Sequence, residues 1–313
     1  MPIALHNQNL TERKWHDTTP PTISVPFFHL VEVGFPFVEA SFVCKTGKVL
    51  HGLFLIDSGA GENVFNHEAM RTIDESWIEE DTHLLCGMDN KGEACKGLKL
   101  KINVGGLCSE EHFRISHNID WTACFGKNTI IGLLGAGYLA KHGLTFDFDT
   151  NSLHSSAPTE FDYSRYSFAC PMDFGFQLYG VPIVCFEKEG REYFCVADSG
   201  ADMNVLTQNA IEQGANEFFH KTDDNSTVVG IGIHAETSYA KIKMKLISIG
   251  KKEGEVVNIT DEDDFRILEG RECFASCEDE SAPVLSGLFS TSFMKKRKWI
   301  LDFKLGVIYA KAS

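Results

Sequence analysis

One short segment occurs twice in this chain. Residues 53–65 read LFLIDSGAGENVF, and residues 194–206 read FCVADSGADMNVL. From Asp57 and Asp198 onward the pattern D-S-G-A-x-x-N-V recurs, with six identities in eight positions. A second block follows in the same order, IGLLGAGYLAKHGLTFDF at 131–148 and SGLFSTSFMKKRKWILDF at 286–303. There Gly132, Leu133, Lys141, Asp147 and Phe148 coincide with Gly287, Leu288, Lys296, Asp302 and Phe303, and Tyr138 matches Phe293. Two blocks in one order mark an internal duplication. It constrains the fold strongly, because whatever one copy forms the other must form too. The length agrees: 313 residues at a prior of about 150 per domain gives two units.

Between the blocks each copy alternates. Leu98-Lys-Leu-Lys-Ile102 and Ile242-Lys-Met-Lys-Leu246 place an apolar side chain at every second residue, the period of a half-buried strand. Glycine-containing stretches at 86–95 and 230–239 precede them and read as hairpins. Another strand pair leads into each DSGA, turning at Lys45-Thr-Gly-Lys48 and Glu187-Lys-Glu-Gly190. Helical signals are short: 66–71, 137–142, 207–214 and 292–297. The chain is therefore expected to be mostly β. The polar stretch TNSLHSSAPTEFD at 150–162 reads as a linker. This divides the chain into an arm at 1–25, a first unit at 26–155 and a second at 156–313. The second copy carries 14 more residues between its two blocks, placed at 252–280.

Composition sets the exclusions. With 29 Lys and Arg against 44 Asp and Glu, the net charge is −15. A chain that acidic lacks the positive footprint of a nucleic-acid binder and is repelled by anionic membranes. The longest apolar run, Ile130–Ala140, is 11 residues, and a membrane span needs about 20. No basic start followed by an apolar stretch opens the sequence, so a cytoplasmic location is expected. Ten cysteines without a C-x-x-C pair read as free thiols. Cys108, His112, His117 and Cys124 lack the tight spacing of a zinc site, and no metal or cofactor is expected. Gly132-Leu-Leu-Gly-Ala-Gly137 lacks the Lys-Ser/Thr and the context of a phosphate loop.

An apolar strand running straight into Asp-Ser-Gly-Ala delivers a carboxylate to a tight loop. Two such loops related by an approximate two-fold axis bring Asp57 and Asp198 face to face. Two carboxyls at close range do not both ionise readily and share a proton. One then serves as general base and the other as general acid on a single water.

D-S-G-A after an apolar strand, followed about 80 residues later by apolar-apolar-Gly and a short helix, resembles the retropepsin-like aspartic peptidases. Ile130-Ile131-Gly132 fits the late motif, and Leu285-Ser286-Gly287 fits it with one Ser. Both copies lie in one chain, as in pepsin-like enzymes. The resemblance implies a bilobal protein, each lobe a closed β-barrel of the acid-protease type, the two related by a pseudo-two-fold axis. It implies an aspartic endopeptidase acting as a monomer on a peptide or protein substrate, with Asp57 and Asp198 catalytic. Ser58, Gly59, Ser199 and Gly200 are its dyad support. Ala60, Ala201, Asp202 and the flap residues Met88, Ile231 and Ile233 are implied to meet substrate. Asn63 and Asn204 depart from it, standing where Ser or Thr is frequent, and Gly61 and Asp202 make the two ends of the cleft unequal. The competing reading is an inactive peptide-binding protein using the same cleft.

Overall fold

The protein is described by a computed structural model, which covers residues 23–29, 34–86, 92–125, 130–155, 165–172, 180–188, 190–215, 220–230, 233–247, 256–268 and 284–311. The chain is mostly β. The first copy contains β1 (Ser24–Pro26), β2 (Phe28–His29), β3 (Pro36–Val43), β4 (Val49–Asp57), β5 (Asn63–Asn66), β6 (Ile78–Cys86), β7 (Gly92–Val104), β8 (Leu107–Ser116), β9 (Ile130–Gly135), β10 (Thr145–Asp147) and β11 (Ser152–His154). The second contains β12 (Tyr166–Pro171), β13 (Ile183–Lys188), β14 (Arg191–Ala197), β15 (Asn204–Thr207), β16 (His220–Gly230), β17 (Ile233–Ile247), β18 (Val256–Leu268), β19 (Leu285–Phe289), β20 (Trp299–Asp302) and β21 (Val307–Lys311).

The duplication reappears as topology. One sheet runs β2-β3-β4-β9-β5-β8-β7-β6, and another β13-β14-β19-β15-β18-β17-β16. Beyond β2 the orders are the same, and β3–β7 and β13–β17 add equivalent pairings that turn each sheet back on itself. Even the irregularities match: the parallel pair β4–β9 shifts register at Leu53/Phe54, and β14–β19 at Phe194/Cys195. The alternation expected for 98–102 holds, with Leu98, Leu100 and Ile102 buried and Lys99 and Lys101 exposed. Short helices lie inside the second blocks at Ala136–Lys141 and Thr291–Lys296, and the first blocks are followed by a 3-10 turn at His67–Thr72 and a helix at Gln208–Glu212.

A third sheet draws strands from both copies, in the order β1-β11-β10-β20-β21-β12. Its central pair, β10–β20, is antiparallel, with Phe146 opposite Leu301, Thr145 opposite Asp302 and Asp147 opposite Ile300. Here the linker reading is corrected. Ser152–His154 is a strand, because Leu153 is fully buried and its neighbours pair on both sides with β1 and β10. The arm ends in β1, which packs beside the first copy's own β11. Of the 252–280 stretch given the extra length, 256–268 is described and the rest lies outside the described residues. Asn63 pairs with Phe113 and Asn204 with Phe265, so most of the added residues enter before Phe265.

One apolar core runs through both copies and includes Phe54, Phe65, Phe146, Phe186, Phe289 and Trp299. Each such ring withdrawn from water contributes about 1.5–3 kcal/mol. Among the described residues, the cysteines are free thiols, and no helix is long and apolar enough to cross a membrane.

One buried charge ties the helix Ala136–Lys141 to its sheet. Glu111 on β8 is 2% exposed. Its carboxylate accepts from Lys141 Nζ at 2.9 Å, and Oε1 lies 2.7 Å from His142 Nε2. Burial pushes its carboxyl up, but the His142 and Lys141 hydrogen bonds outweigh it and hold it below the ordinary glutamate range. A carboxyl held low stabilises the fold above its unfolded pKa, and that contribution is lost as pH falls through the folded one. Glu111→Gln is therefore expected to lose about 1–3 kcal/mol at neutral pH. Urea melts across an acid series should show the gap to wild type closing as Glu111 takes up its proton.

Candidate active site

The strand β4 is driven into the core by Phe54, Leu55 and Ile56, and its last residue is Asp57. The chain then leaves the sheet for a tight loop and returns as β5. In the second copy Val196 and Ala197 end β14 in the same way, and Asp198 follows, its N–H donating to Phe289 O at 2.8 Å. The two loops meet. The glycine of each loop lies against the other loop's aspartate carboxyl, and the Asp57 and Asp198 carboxyls stand close enough to interact directly, so the structure brings together the pair that the repeat singles out.

The serines bind the loops reciprocally. Ser58 Oγ donates to Ala197 O at 2.6 Å, and Ser199 Oγ donates to Ile56 O at 2.7 Å. Each hydroxyl also accepts from the other serine's N–H, Ser58 N to Ser199 Oγ at 2.8 Å and Ser199 N to Ser58 Oγ at 3.0 Å. Both serines are fully buried, so no water competes for these four bonds.

The glycines have a different reason than turn geometry. Neither Gly59 nor Gly200 has a positive φ. What each needs is space: a Cβ on Gly59 would overlap the Asp198 carboxyl, and a Cβ on Gly200 the Asp57 carboxyl. Their N–H groups are used as well. Asp57 Oδ1 accepts from Gly59 N at 2.9 Å and Ala60 N at 3.1 Å, and Asp198 Oδ1 accepts from Gly200 N at 2.8 Å.

Burial raises both carboxyls above the usual range. For Asp198 the neighbouring Asp57 charge adds to burial. For Asp57 the hydrogen bond from Asp198 and the Gly59 and Ala60 N–H groups oppose burial without cancelling it. Such a pair titrates as a unit and retains one proton where an isolated aspartate has lost it.

Ala60 and Ala201 are half-buried beside the dyad. Ala60 packs on a separate apolar cluster with Phe35, Leu53 and Leu85 over buried Phe37, Trp121 and Phe125. Asp202 is exposed. The flap positions Met88 and Ile231 lie outside the described residues. Ile233 opens β17 opposite Gly230.

Two further repeats appear once the strands are superposed by register. Phe113-Arg114-Ile115 on β8 and Phe265-Arg266-Ile267 on β18 occupy equivalent positions beside β5 and β15. Arg114 forms a two-pronged ion pair with Glu62, at 2.8 and 2.7 Å. Partial burial raises the Asp202 carboxyl while the Arg266 charge opposes that rise without cancelling it. Gly34-x-Pro36 and Gly180-x-Pro182 precede β3 and β13, and both glycines have φ +68°. Asn63 and Asn204, for which sequence alone offers no role, are both buried and make matching bonds. The Phe-Arg-Ile and Gly-x-Pro repeats are visible in the sequence, but they are short and the unequal spacing of the copies hides them.

Among the described residues no cluster of three or more His, Cys, Asp or Glu could hold a metal ion. No protein-family model and no curated protein matches the sequence.

Proposed function

We propose that this chain is an aspartic endopeptidase with one cleft between two lobes. Each lobe is a closed barrel built from one copy, and the lobes are related by an approximate two-fold axis through the Phe146–Leu301 pair. The equal strand orders, the equivalent closing pairings and the symmetric β10–β20 register support that arrangement. The observation that carries the function is the closely apposed Asp57–Asp198 pair, held by reciprocal serine bonds at the meeting of two equivalent loops.

The chemistry follows from the shared proton. The ionised carboxyl takes a proton from a water between the two, and that water's oxygen attacks the peptide carbonyl carbon. The protonated carboxyl gives its proton to the carbonyl oxygen, forming a neutral tetrahedral diol. Collapse breaks the C–N bond: the carboxyl now protonated gives its proton to the amide nitrogen, and a diol hydroxyl gives one to the other carboxylate. The amine and the new carboxylic acid leave with the pair again holding one proton. General acid–base assistance of this kind contributes about 10²–10⁴-fold. The resemblance assigns substrate contact to Ala60, Ala201, Asp202 and the flaps, and one chain supplies both carboxyls.

Mass-spectrometric profiling of a mixed peptide library from about pH 3 to pH 8 tests the reading. Cleavage that stops with an inhibitor mimicking the tetrahedral diol is the expected result. Peptide binding without any cleavage favours the binding-protein reading. Gly59→Ala is a sharper local probe. Its Cβ would collide with the Asp198 carboxyl, and displacement of a reacting group by about 1 Å costs on the order of 10²-fold. The variant should fold, lose kcat/KM by about that factor and bind the mimic correspondingly less tightly.

A further inference from the structure

We propose that Asn63 and Asn204 are positioning residues that fix the two dyad loops by cross-bracing three strands apiece, an inference that rests on the peptidase reading. Asn63 Nδ2 donates to His112 O on β8 at 3.1 Å, while its Oδ1 accepts from Gly135 N at the end of β9 at 2.9 Å. Asn204 Nδ2 donates to Asp264 O on β18 at 3.0 Å. Its Oδ1 accepts from Ser290 N at 2.9 Å and Ser290 Oγ at 3.0 Å. The donor target in each copy is the carbonyl just before the paired phenylalanine, Phe113 or Phe265.

A hydroxyl is too short to reach both neighbours. A carboxamide carries its donor and acceptor on separate atoms about 2.3 Å apart, so it spans from one flanking strand to the other. That is the physical reason for Asn here, and the same bonds form in both copies although the strands they reach differ in length.

The brace acts on the dyad because it ends the loop that begins with the aspartate. In the first copy Ala60 O accepts from Ala136 N at 2.7 Å, Gly61 O from Gly137 N at 3.2 Å, Glu62 is held by Arg114, and Asn63 closes the series. In the second, Thr291 N donates to Ala201 O at 2.9 Å and Thr291 Oγ1 to Ser199 O at 2.7 Å before Asn204 closes it. The two N–H groups that steady Asp57 sit inside this span.

Asn63→Leu and Asn204→Leu keep the branched four-atom shape and remove every bond of the brace. Asn63→Asp and Asn204→Asp keep the acceptor and replace the donor. The Leu variants are expected to lose kcat by about 10- to 100-fold with KM within about twofold of wild type. Their Gly59 and Gly200 amides, bonded to the dyad, should exchange hydrogen faster. In the Asp variants a protonated carboxyl can again donate to the His112 or Asp264 carbonyl. Their activity should recover towards acid pH more steeply than wild type, and exchange at Gly59 or Gly200 should slow with it. If the Leu variants do not fold, the Asp variants decide. A wild type that cleaves nothing contradicts the peptidase reading, and the exchange measurements still judge the brace. Variants that melt earlier yet keep wild-type kcat and wild-type exchange at Gly59 and Gly200 overturn the proposal.

Discussion

Asp57→Asn and Asp198→Asn are each expected to leave a folded protein that cleaves at least about 10³-fold more slowly than wild type. An asparagine at 57 still accepts from Gly59 N and Ala60 N, so the loop keeps its shape, but the pair can no longer pass a proton in both directions. Stability should move the other way. Burial raises both carboxyls, and the Asp57 charge raises Asp198 further. A raised carboxyl favours the fold when protonated, and that advantage is lost as pH rises through the folded pKa. Removing one ionisable member relieves the buried charge at neutral pH. Melting temperatures of the Asn variants should therefore equal or exceed wild type near pH 7.5, and the difference should vanish in acid, where the wild-type pair is protonated. Variants that melt well below wild type at neutral pH, or that cleave at wild-type rates, are at odds with a shared-proton dyad.

Ser58→Ala and Ser199→Ala are expected to produce the largest stability losses of any conservative change in the chain. Removing the Ser58 hydroxyl strands Ala197 O and Ser199 N; removing that of Ser199 strands Ile56 O and Ser58 N. All lie around fully buried side chains. A buried polar group left without a partner costs about 1–3 kcal/mol, so each substitution should cost about 2–5 kcal/mol against a typical total of about 5–15 kcal/mol. Activity should fall with stability, because the same bonds register one aspartate against the other. The double variant should depart from additivity by more than about 0.5 kcal/mol, since both hydroxyls serve one interface. Guanidinium titration of the four proteins measures this. Single changes costing under about 0.5 kcal/mol contradict the reciprocal frame.

The site was more legible in the sequence than the scaffold around it. Asp57, Ser58 and Gly59 recur as Asp198, Ser199 and Gly200 because each copy must supply one carboxyl, one hydroxyl and one gap for the other's carboxyl. The mostly-β class was legible from alternation such as Leu98-Lys-Leu-Lys-Ile102. The third sheet was not. Its central strands are three and four residues long, too short to show a period, and β10 pairs with β20 across about half the chain. Ser152–His154 reads as linker because two of its three residues are polar and exposed enough to face water, and Leu153 alone anchors it. The roles of Asn63 and Asn204 depend on which carbonyl and which N–H stand on either side, and only the assembled strands supply that. The glycines illustrate a subtler limit. A sequence marks Gly59 as special, while the reason, the approach of Asp198, belongs to a residue in the other copy.

The central claim is that Asp57 and Asp198 form one acid–base unit. Carbon-13 NMR titration of the carboxyl groups in the intact chain, assigned with the two Asn variants, addresses it directly. The account predicts two coupled steps separated by more than about one pH unit, with the second proton retained above the ordinary aspartate value of about 3.9. It also predicts that either Asn substitution removes the separation and leaves one carboxyl to titrate alone. Two independent titrations, both near about 3.9 and each unaffected by substitution of the other residue, would contradict it.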